Sequence, residues 1–419
     1  MSGEGLAAQG RSNGDRWVQD TGHAMDRDDL PADEAFLLQV MLDTLAYARE
    51  RDYTGWDYFD GMSSRVLEGL PADNKWVNIA VQESIKRAPV NVRPLLLVEQ
   101  RQNFKGTALF AMANETAYAL TSGERYREES RALVDWLVDN KADGYAGFCG
   151  GHTHEMQQLD ERRPANTPNV VPTSYGVKAL LRAAEYDDEY GAVARSAASF
   201  VAEDLKYTEF DGGARIVYQP LFDGEFYTLN GGALGARIHV DLYEAFDDPV
   251  YLERAQKLLD YIATKQADIG GWKYRDPPSA SHLSMDNHHN GFVLEAYQRY
   301  QEVVGDDRYS ETIERALDFH REYLFDANGA PNWDETKAYP KDIHAATQGI
   351  IVFSKAGEFT FARKILDWVF ANLYAGEGQF YYQKRRFYTK RFTLMRWCQA
   401  WMAYAISVYL EERHLDGGT

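Results

Sequence analysis

Two Asp-x-His motifs carry the residue types best suited to acid–base chemistry. Asp286 and His288 stand within residues 284–292, and Asp342 and His344 repeat the pattern later in the chain. A histidine beside a carboxylate can act as general acid or base near neutral pH, because the carboxylate fixes its tautomer and raises its basicity. Each Asp could instead cap a helix by accepting bonds from the first backbone amides. We predict catalytic roles for both pairs, with Asp286 and His288 as the first choice.

A short polar turn, ending in Tyr at its four clearest occurrences, recurs along the chain. These turns occupy residues 121–126, 186–190, 246–251 and 305–309, and a weaker one at 355–359 ends in Phe. A recurring spacing of this kind is typical of a repeated supersecondary unit. Apolar residues at helical spacing flank each turn, so the unit is predicted to be a helical hairpin.

The same apolar spacing predicts where the helices lie. The predicted pairs are 103–119/125–139, 170–185/190–206, 229–246/250–265, 288–303/308–323 and 341–355/359–373, with a first pair near 34–50/74–88 and a closing helix near 393–412. About six such hairpins close a ring. We therefore predict an all-α (α/α)6 toroid as a single domain over residues 31–415, after a disordered tail over residues 1–30.

The predicted connections are short within hairpins and long between them. The long ones are 140–169, 207–228, 266–287, 324–340 and 374–392. Because the helices alternate in direction, every long connection must emerge on the same face of the ring. Long loops on a rigid scaffold usually carry function, so we expect the site on that face.

Aromatic and polar residues concentrate in these long connections. Aromatic rings stack on sugar rings while polar groups bond the hydroxyls, so this composition favours a saccharide site, although about half of the rings could simply pack the loops onto the helices. Tyr218 and Tyr227 are further acid–base candidates. The predicted substrate-binding residues are His152, His154, Asn169, Asn230, Trp272, His289, Trp333, Tyr381, Lys390, Arg396 and Trp397.

Basic residues gather near the end of the chain, at Lys384, Arg385, Arg386, Lys390, Arg391 and Arg396. They could receive a carboxylate or a sulfate through bidentate arginine contacts, or they could form a solvated, charge-balancing loop.

Metal ligands of suitable type occur at His152, His154 and Glu155. No further ligand at a typical spacing accompanies them, and the sequence has no phosphate-binding loop or dinucleotide fingerprint. We therefore predict neither a metal nor a cofactor.

The formal net charge of −19 would repel nucleic acids and anionic membrane surfaces. Cys149 and Cys398 lie far apart in the sequence, which suggests no disulfide framework and is compatible with a reducing compartment. The first 30 residues lack the apolar core of a signal peptide, and no apolar run is long enough to span a bilayer. We expect a cytoplasmic protein without nucleic-acid partners or membrane insertion, and the sequence leaves its oligomeric state open.

Four stretches resemble the signatures of a known family, and the resemblance covers most of the chain beyond residue 35. They are residues 149–152, 166–173, 285–292 and 395–402. The family occurs with surface-polysaccharide and archaeal protein-glycosylation enzymes, and a haloarchaeal member is implicated in processing a hexuronic acid of an N-linked glycan. The resemblance implies the six-hairpin glycosidase toroid, with an oligosaccharide or lipid-linked glycan as substrate. The chain departs from the family pattern at residues 150–154, so no role is carried over to that loop.

Three functions fit these residues. The leading hypothesis is an epimerase or isomerase of a hexuronic acid residue, because such chemistry needs an acid–base pair and a cation, such as Arg396, to stabilise an enolate. The second is a glycoside hydrolase with Asp286 and Asp342 as paired carboxylates. The third is a glycan-binding scaffold without catalytic activity.

Overall fold

The computed structural model describes residues 30–69, 74–157, 162–222 and 225–414. The tail predicted for residues 1–30 falls outside this part of the chain except for Leu30. The α-helices are α1 (Ala32–Arg49), α2 (Arg65–Glu68), α3 (Lys75–Arg87), α4 (Phe104–Thr121), α5 (Glu124–Asp139), α6 (Val170–Ala183), α7 (Asp188–Ser199), α8 (Leu229–Phe246), α9 (Pro249–Ala263), α10 (Asn287–Val304), α11 (Ser310–Tyr323), α12 (Ile343–Lys355), α13 (Phe359–Asn372) and α14 (Trp401–His414). Short 3-10 turns lie at Gly61–Ser63 and Pro278–Ala280, and π-helical turns at Phe200–Asp204 and Met395–Ala400.

Six helices form an inner ring around one axis. In order these are α4, α6, α8, α10, α12 and α14; each packs on the next, and α14 packs on α4. Five of them pair with the outer helix that follows through a short turn, namely α5, α7, α9, α11 or α13. The predicted all-α (α/α)6 toroid is confirmed.

The short turns have the local chemistry that ends one helix and begins another. Asp247 ends α8 in the left-handed conformation (φ 50°), and Gly305 does the same for α10 (φ 73°). Asp248 then caps α9 by accepting a bond from the Val250 amide, with Pro249 in the first turn, where a missing N–H costs little. Inner helices are enclosed on all sides, and α12 is buried from Ile343 to Ser354.

The predicted hairpin 34–50/74–88 was wrong. Helix α1 packs on α14, so the first and last long helices of the described chain form the sixth pair and close the ring. Helix α3 instead lies within the long connection from α1 to α4, where it packs on Gly61–Ser63 and on Met156–Gln157. A local periodicity predicted both helices, but only ring closure, a contact between distant residues, decides which helix is the partner.

The long connections carry small antiparallel sheets. The strands are β1 (Thr54–Gly55) with β2 (Arg101–Gln102), β3 (Met156–Gln157) with β4 (Arg162–Arg163), β5 (Thr208–Phe210) with β6 (Gly213–Arg215), β7 (Tyr227–Thr228) with β8 (Arg275–Asp276), β10 (Tyr374–Gly376) with β11 (Gln379–Phe380), and β9 (Lys341–Asp342), β12 (Gln383–Lys384) and β13 (Thr389–Lys390) in the order β13-β12-β9. Each long connection leads into the start of an inner helix. The inner helices therefore begin on the face that carries these connections.

The other end of the ring axis is occupied by paired charges. Arg237 Nη1 lies 2.9 Å from Glu295 Oε1, and Lys178 Nζ donates to the Tyr404 hydroxyl at 2.6 Å. Arg237 thereby has a carboxylate counter-ion, and Lys178 has a hydrogen-bond acceptor. Among the described helices, none combines the length and the apolar character that crossing a membrane requires.

Closure of the ring by α1 gives a stability prediction. Leu45 on α1 is fully buried, so Leu45→Ala should lower the free energy of unfolding in urea by about 3 kcal/mol. Leu221→Ala, at a side chain that is 54% exposed, is the control and should change it by less than about 0.5 kcal/mol. Equal effects of the two substitutions would contradict a closing role for α1.

Candidate active site

The first turns of the inner helices supply the candidate site. The residue two positions after the N-cap is Lys105 in α4, Val171 in α6, Asn230 in α8, His288 in α10 and His344 in α12, and Arg396 is the equivalent residue in the π-helical turn before α14. Five of these six side chains are polar. The positive ends of the helix dipoles meet at the same place, which favours bound negative charge.

Asp286 caps α10 and holds the two histidines that follow it. Its carboxylate accepts a bond from the His289 amide, and His289 Nδ1 lies 2.8 Å from both carboxylate oxygens. His288 Nδ1 lies 3.3 Å from Oδ1 of Asp286. Burial opposes ionisation of Asp286, but His289 and His288 outweigh it and lower its pKa. The predicted Asp286–His288 contact is present, and His289, expected only to bind substrate, is closer to the carboxylate.

His288 and His344 lie side by side on neighbouring inner helices. Their ring centroids are 4.7 Å apart. A Cβ atom at Gly291 would lie only 1.9 Å from Cγ of Gln348, so the glycine permits the close approach of α10 and α12. Burial lowers the pKa of His288 to about 3 and the pKa of His344 well below its usual value. Both imidazoles are therefore neutral at pH 7.

Asp342 is a buried cap with a full set of donors. It accepts bonds from the His344 amide at 2.9 Å, from Trp397 Nε1 at 2.8 Å and from Gln383 Nε2 at 2.8 Å. Burial nevertheless raises the pKa of Asp342 to about 6. Because Trp397 covers one oxygen and Gln383 the other, Asp342 positions His344 and Trp397 and is poorly placed to pair with Asp286 across a glycosidic bond.

Arg396, predicted to bind the substrate, already has a counter-ion. Its Nε and Nη2 atoms contact both oxygens of Asp57 at 2.5 to 3.1 Å, and Asn103 Nδ2 donates to the same carboxylate at 2.8 Å. Burial would raise the pKa of Asp57, but the Arg396 guanidinium outweighs it and lowers that pKa. The charge of Arg396 is thus neutralised within the protein.

Lys105 is a buried lysine of the site without an ion pair among the described residues, and sequence reasoning missed it. It is 4% exposed, and no ion pair or hydrogen bond joins its Nζ to any described residue. The Nζ atom lies 5.2 Å from the ring centroid of Trp401 and 5.7 Å from that of Phe292. Burial, reinforced by Arg396, lowers the pKa of Lys105 well below its usual value. Helices α4 and α10 stand on opposite sides of the six-membered ring, so Lys105 faces the His288 side.

Loop residues surround this group. Burial and the cations Arg396, Lys105 and Arg163 lower the pKa of His152, although Asp57 opposes them. His154 is 2% exposed, and neither of its ring nitrogens has a hydrogen-bond partner among the described residues.

Two tyrosines lie on the α8 and α10 side of the site. Burial raises the pKa of Tyr218, which Arg163 and Arg396 partly offset. Tyr274, which the sequence analysis passed over, lies 4.5 Å from His289 between ring centroids. Tyr218, an acid–base candidate, therefore lies near enough to Arg163 and Arg396 for their charges to affect its hydroxyl.

Aromatic rings line the other side. Trp397 lies 4.6 Å from His344 and stacks on Tyr58 at 4.5 Å between ring centroids. Trp401, below them, lies 4.4 Å from His344. Trp397, predicted to bind substrate, thus lies beside His344, and the stacked pair offers an apolar surface of the kind that sugar rings contact.

Three predicted site residues have other roles. Trp272 is a core residue, whose Nε1 donates to the Ile262 carbonyl while its ring stacks on Tyr297. Tyr227 lies under the Arg215 guanidinium at 4.4 Å. Lys390 is fully buried, and its Nζ donates to the Lys86 carbonyl at 2.9 Å. The burial of Trp272 and Lys390 contradicts a substrate contact, because aromatic and basic residues also hold long connections onto the ring, whereas the catalytic role of Tyr227 stays a prediction.

The remaining predicted residues lie at helix starts or in the loops around them. Asn169 caps α6 through the Val171 amide, and Asn230 is buried in the first turn of α8 with no partner for its amide group among the described residues. Trp333 accepts a backbone bond from Asn287, and Tyr381 is half-buried against the core.

One group of side chains has the chemistry of a metal site. Single ligand atoms of Asp286, His288 and His289 all lie within 4.8 Å of one another. The alternative at His152, His154 and Glu155 is weakened, because Glu155 forms an ion pair with Arg162. Asp286, His288 and His289 could hold a divalent cation in place of their mutual hydrogen bonds.

Comparison with known proteins identifies the fold. The sequence matches no protein-family model and no curated protein. The structure is similar to cellobiose 2-epimerase from Bacillus thermoamylovorans (TM-score 0.59, 13% identity, 74% of this chain and 88% of that one) and to a D-mannose isomerase (TM-score 0.55, 10% identity, 73% and 86%). It is also similar to a possible GH105 family member from Klebsiella pneumoniae (TM-score 0.59, 14% identity, 92% and 94%). At these identities the likeness establishes the six-hairpin toroid.

The raised pKa of Asp342 predicts a pH-dependent stability. The folded protein keeps this carboxyl protonated up to about pH 6, whereas the unfolded chain ionises it near pH 4, so the wild type should lose about 2 kcal/mol relative to Asp342→Asn between pH 4 and pH 7. Urea denaturation of both proteins across this range measures the difference. A difference that does not change with pH would mean that Asp342 is ionised in the native protein.

Proposed function

We propose that the protein is an epimerase or isomerase acting on a hexuronic acid residue of an oligosaccharide. The observation that carries this proposal is the arrangement of Lys105 across the ring from His288. The first is a buried lysine without an ion pair among the described residues, and the second is a neutral imidazole beside Asp286. A substrate that supplies a carboxylate and an acidic C–H bond next to it would satisfy both.

The reaction would move one proton without any change in oxidation state. His288 takes the proton from the carbon beside the carboxylate, and the Asp286 carboxylate stabilises the imidazolium as it forms. The electron pair of the broken C–H bond moves into the carboxylate as an enolate, which Lys105 and the helix N-termini stabilise. Return of a proton to the opposite face completes epimerisation. His152, beside Lys105, is the candidate donor on the side opposite His288, and Tyr218 near the start of α8 is a second candidate. His344 lies on the same side as His288 and would instead favour isomerisation.

The carboxylates of the site favour proton transfer over glycoside hydrolysis. Hydrolysis needs one carboxyl group to protonate the leaving oxygen and a second to act on the sugar or on water. Asp57 forms an ion pair with Arg396 and Asp342 is enclosed by Trp397 and Gln383, so of these three described carboxylates only Asp286 contacts the histidines. Two of the similar structures are a sugar epimerase and a sugar isomerase by name, which supports the same choice. A role in building a surface glycan or an N-linked glycan, from an oligosaccharide or a lipid-linked precursor, rests on the family resemblance.

Exchange with deuterated water tests the proposal directly. The protein is incubated with uronic-acid oligosaccharides in deuterated water and followed by NMR, and deuterium should enter at the carbon beside the carboxylate. New reducing ends would identify a hydrolase instead, and binding without either change would identify a scaffold. Exchange that persists in excess chelator supports a histidine base, whereas exchange lost on chelation and restored by a divalent metal would assign the step to a metal at Asp286, His288 and His289.

Replacement of the proposed base predicts a large loss of rate. His288→Gln should lower kcat by about 100-fold or more, because a positioned general base commonly contributes that much. His239→Gln is the matched control, since His239 is also a buried histidine of an inner helix but stacks on Tyr251 away from the site. An unchanged kcat in His288→Gln would exclude this residue as the base.

Replacement of the free cation predicts a loss specific to acidic sugars. Lys105→Met should lower kcat/KM by about 10- to 100-fold on a uronic acid substrate, because a charge-assisted bond to the carboxylate is lost. Lys178→Met removes a half-buried lysine of another inner helix, one that donates to Tyr404, and should retain activity. Equal losses on neutral and acidic sugars would contradict recognition of the carboxylate by Lys105.

A further inference from the structure

A lobe beside the site exposes an unusual amount of apolar surface. We define the docking lobe as residues 65–69 and 74–98 together with the β12–β13 hairpin, residues 383–391. Eight of the fifteen large apolar side chains recorded as exposed in the described residues lie on it: Val66, Trp76, Val77, Val90, Leu95, Leu97, Phe387 and Tyr388. Leu95 is 80% exposed and Phe387 is 87% exposed. Apolar patches of this kind mark interaction sites on soluble proteins.

The two parts of the docking lobe are tied to each other and to the ring. Lys390 Nζ donates to the Lys86 carbonyl at 2.9 Å, which joins the hairpin to α3. The Arg65 amide donates to the Leu97 carbonyl at 3.3 Å, which places the start of α2 beside the exposed leucines. A buried ion pair between Arg93 and Asp60, with Nε and Oδ2 2.7 Å apart, anchors the segment below. The apolar side chains therefore stand on a fixed surface.

The docking lobe is also basic, in contrast to the rest of the protein. Residues 383–391 contain five basic residues and no acidic one, whereas the whole chain has a net charge of −19. Arg386 and Arg391 are exposed, and neither has an ion pair with another described residue. Because salt screens charges beyond about 8 Å, a contacting surface would experience the local charge more strongly than the net charge.

We propose that the docking lobe binds the protein to an anionic phospholipid surface. Exposed Trp, Tyr, Phe and Leu side chains enter the headgroup boundary, while arginines and lysines attract the lipid phosphates. A symmetric contact with a second copy of the chain would instead set one basic hairpin against another, which is unfavourable. The charge thus favours a lipid surface over a second copy.

The docking lobe adjoins the mouth of the candidate site. Lys86 Nζ lies 4.5 Å from the ring centroid of Tyr58, and Tyr58 stacks on Trp397 beside His344. A surface bound to the lobe would therefore lie close to the aromatic wall of the site. This arrangement suits a lipid-linked glycan whose lipid is inserted in the same phospholipid surface. The binding of the docking lobe to lipid does not depend on the proposed reaction.

Sedimentation with vesicles tests the proposal on the full-length protein. Binding to vesicles of phosphatidylglycerol and phosphatidylcholine should be at least 10-fold tighter than binding to phosphatidylcholine alone, and it should weaken as salt is raised. Arg386→Glu/Arg391→Glu should weaken binding to the anionic vesicles about 10-fold or more, and Leu95→Ser/Leu97→Ser should weaken binding to both kinds. Val250→Ser, at an exposed apolar residue of α9, is the control and should bind as the wild type does.

Three outcomes would contradict lipid binding by the docking lobe. Equal affinity for neutral and anionic vesicles, or no binding to either by a protein with a native circular dichroism spectrum, would overturn the proposal. So would light scattering that shows a dimer which dissociates on Leu95→Ser/Leu97→Ser, because a second copy would then be the occupant. Activity on a soluble substrate, measured for the same variants, separates this result from a failure of the proposed reaction.

Discussion

Closure of the inner ring is the constraint on which the site depends. Six helices can share one axis only if the last packs on the first, and α14 meets α4 in this way with α1 behind it. Once the ring is closed, equivalent first-turn residues on different helices become neighbours. Lys105, His288, His344 and Arg396 converge because the first three lie in the first turns of inner helices and Arg396 lies in the π-helical turn that leads into α14.

The presence or absence of a carboxylate partner then distinguishes basic residues of the same chemical type. Arg396 and Lys105 are both buried basic residues at the same end of the axis, but Asp57 forms an ion pair with Arg396, whereas Lys105 has no ion pair with a described residue. The histidines differ in the same way, since His288 and His289 contact the Asp286 carboxylate while the His344 ring packs against Trp397 and Trp401. A ligand that brings negative charge would therefore meet Lys105, which has no ion pair among the described residues, at a defined position.

The sequence was most informative where structure is decided locally. Turn residues and helical spacing located the five hairpins from α4 to α13, because Asp caps and residues such as Gly305 act within a few positions of themselves. The pairing of α1 with α14 was missed, since it depends on residues at opposite ends of the chain.

For the site, the search for histidine and aromatic residues found His288, His344 and Trp397 but passed over Lys105. The lysine occupies the same position after its N-cap Asn103 as His288 occupies after Asp286. Comparing equivalent helix starts would have identified it. Trp272 and Lys390 were predicted to bind substrate but are buried in packing contacts. Residue type alone does not distinguish a ligand contact from a packing contact.

The sixth helix pair also brings the two ends of the toroid together. Arg413 Nη2 near the end of α14 lies 2.9 Å from Glu34 Oε1 in the first turn of α1, and His414 contacts the other oxygen of the same carboxylate. The start of α1 and the end of α14 are thus adjacent in space. A circular permutant in which these two helix ends are joined and the chain is opened at a short turn such as Gly305 would keep all six first turns around the axis.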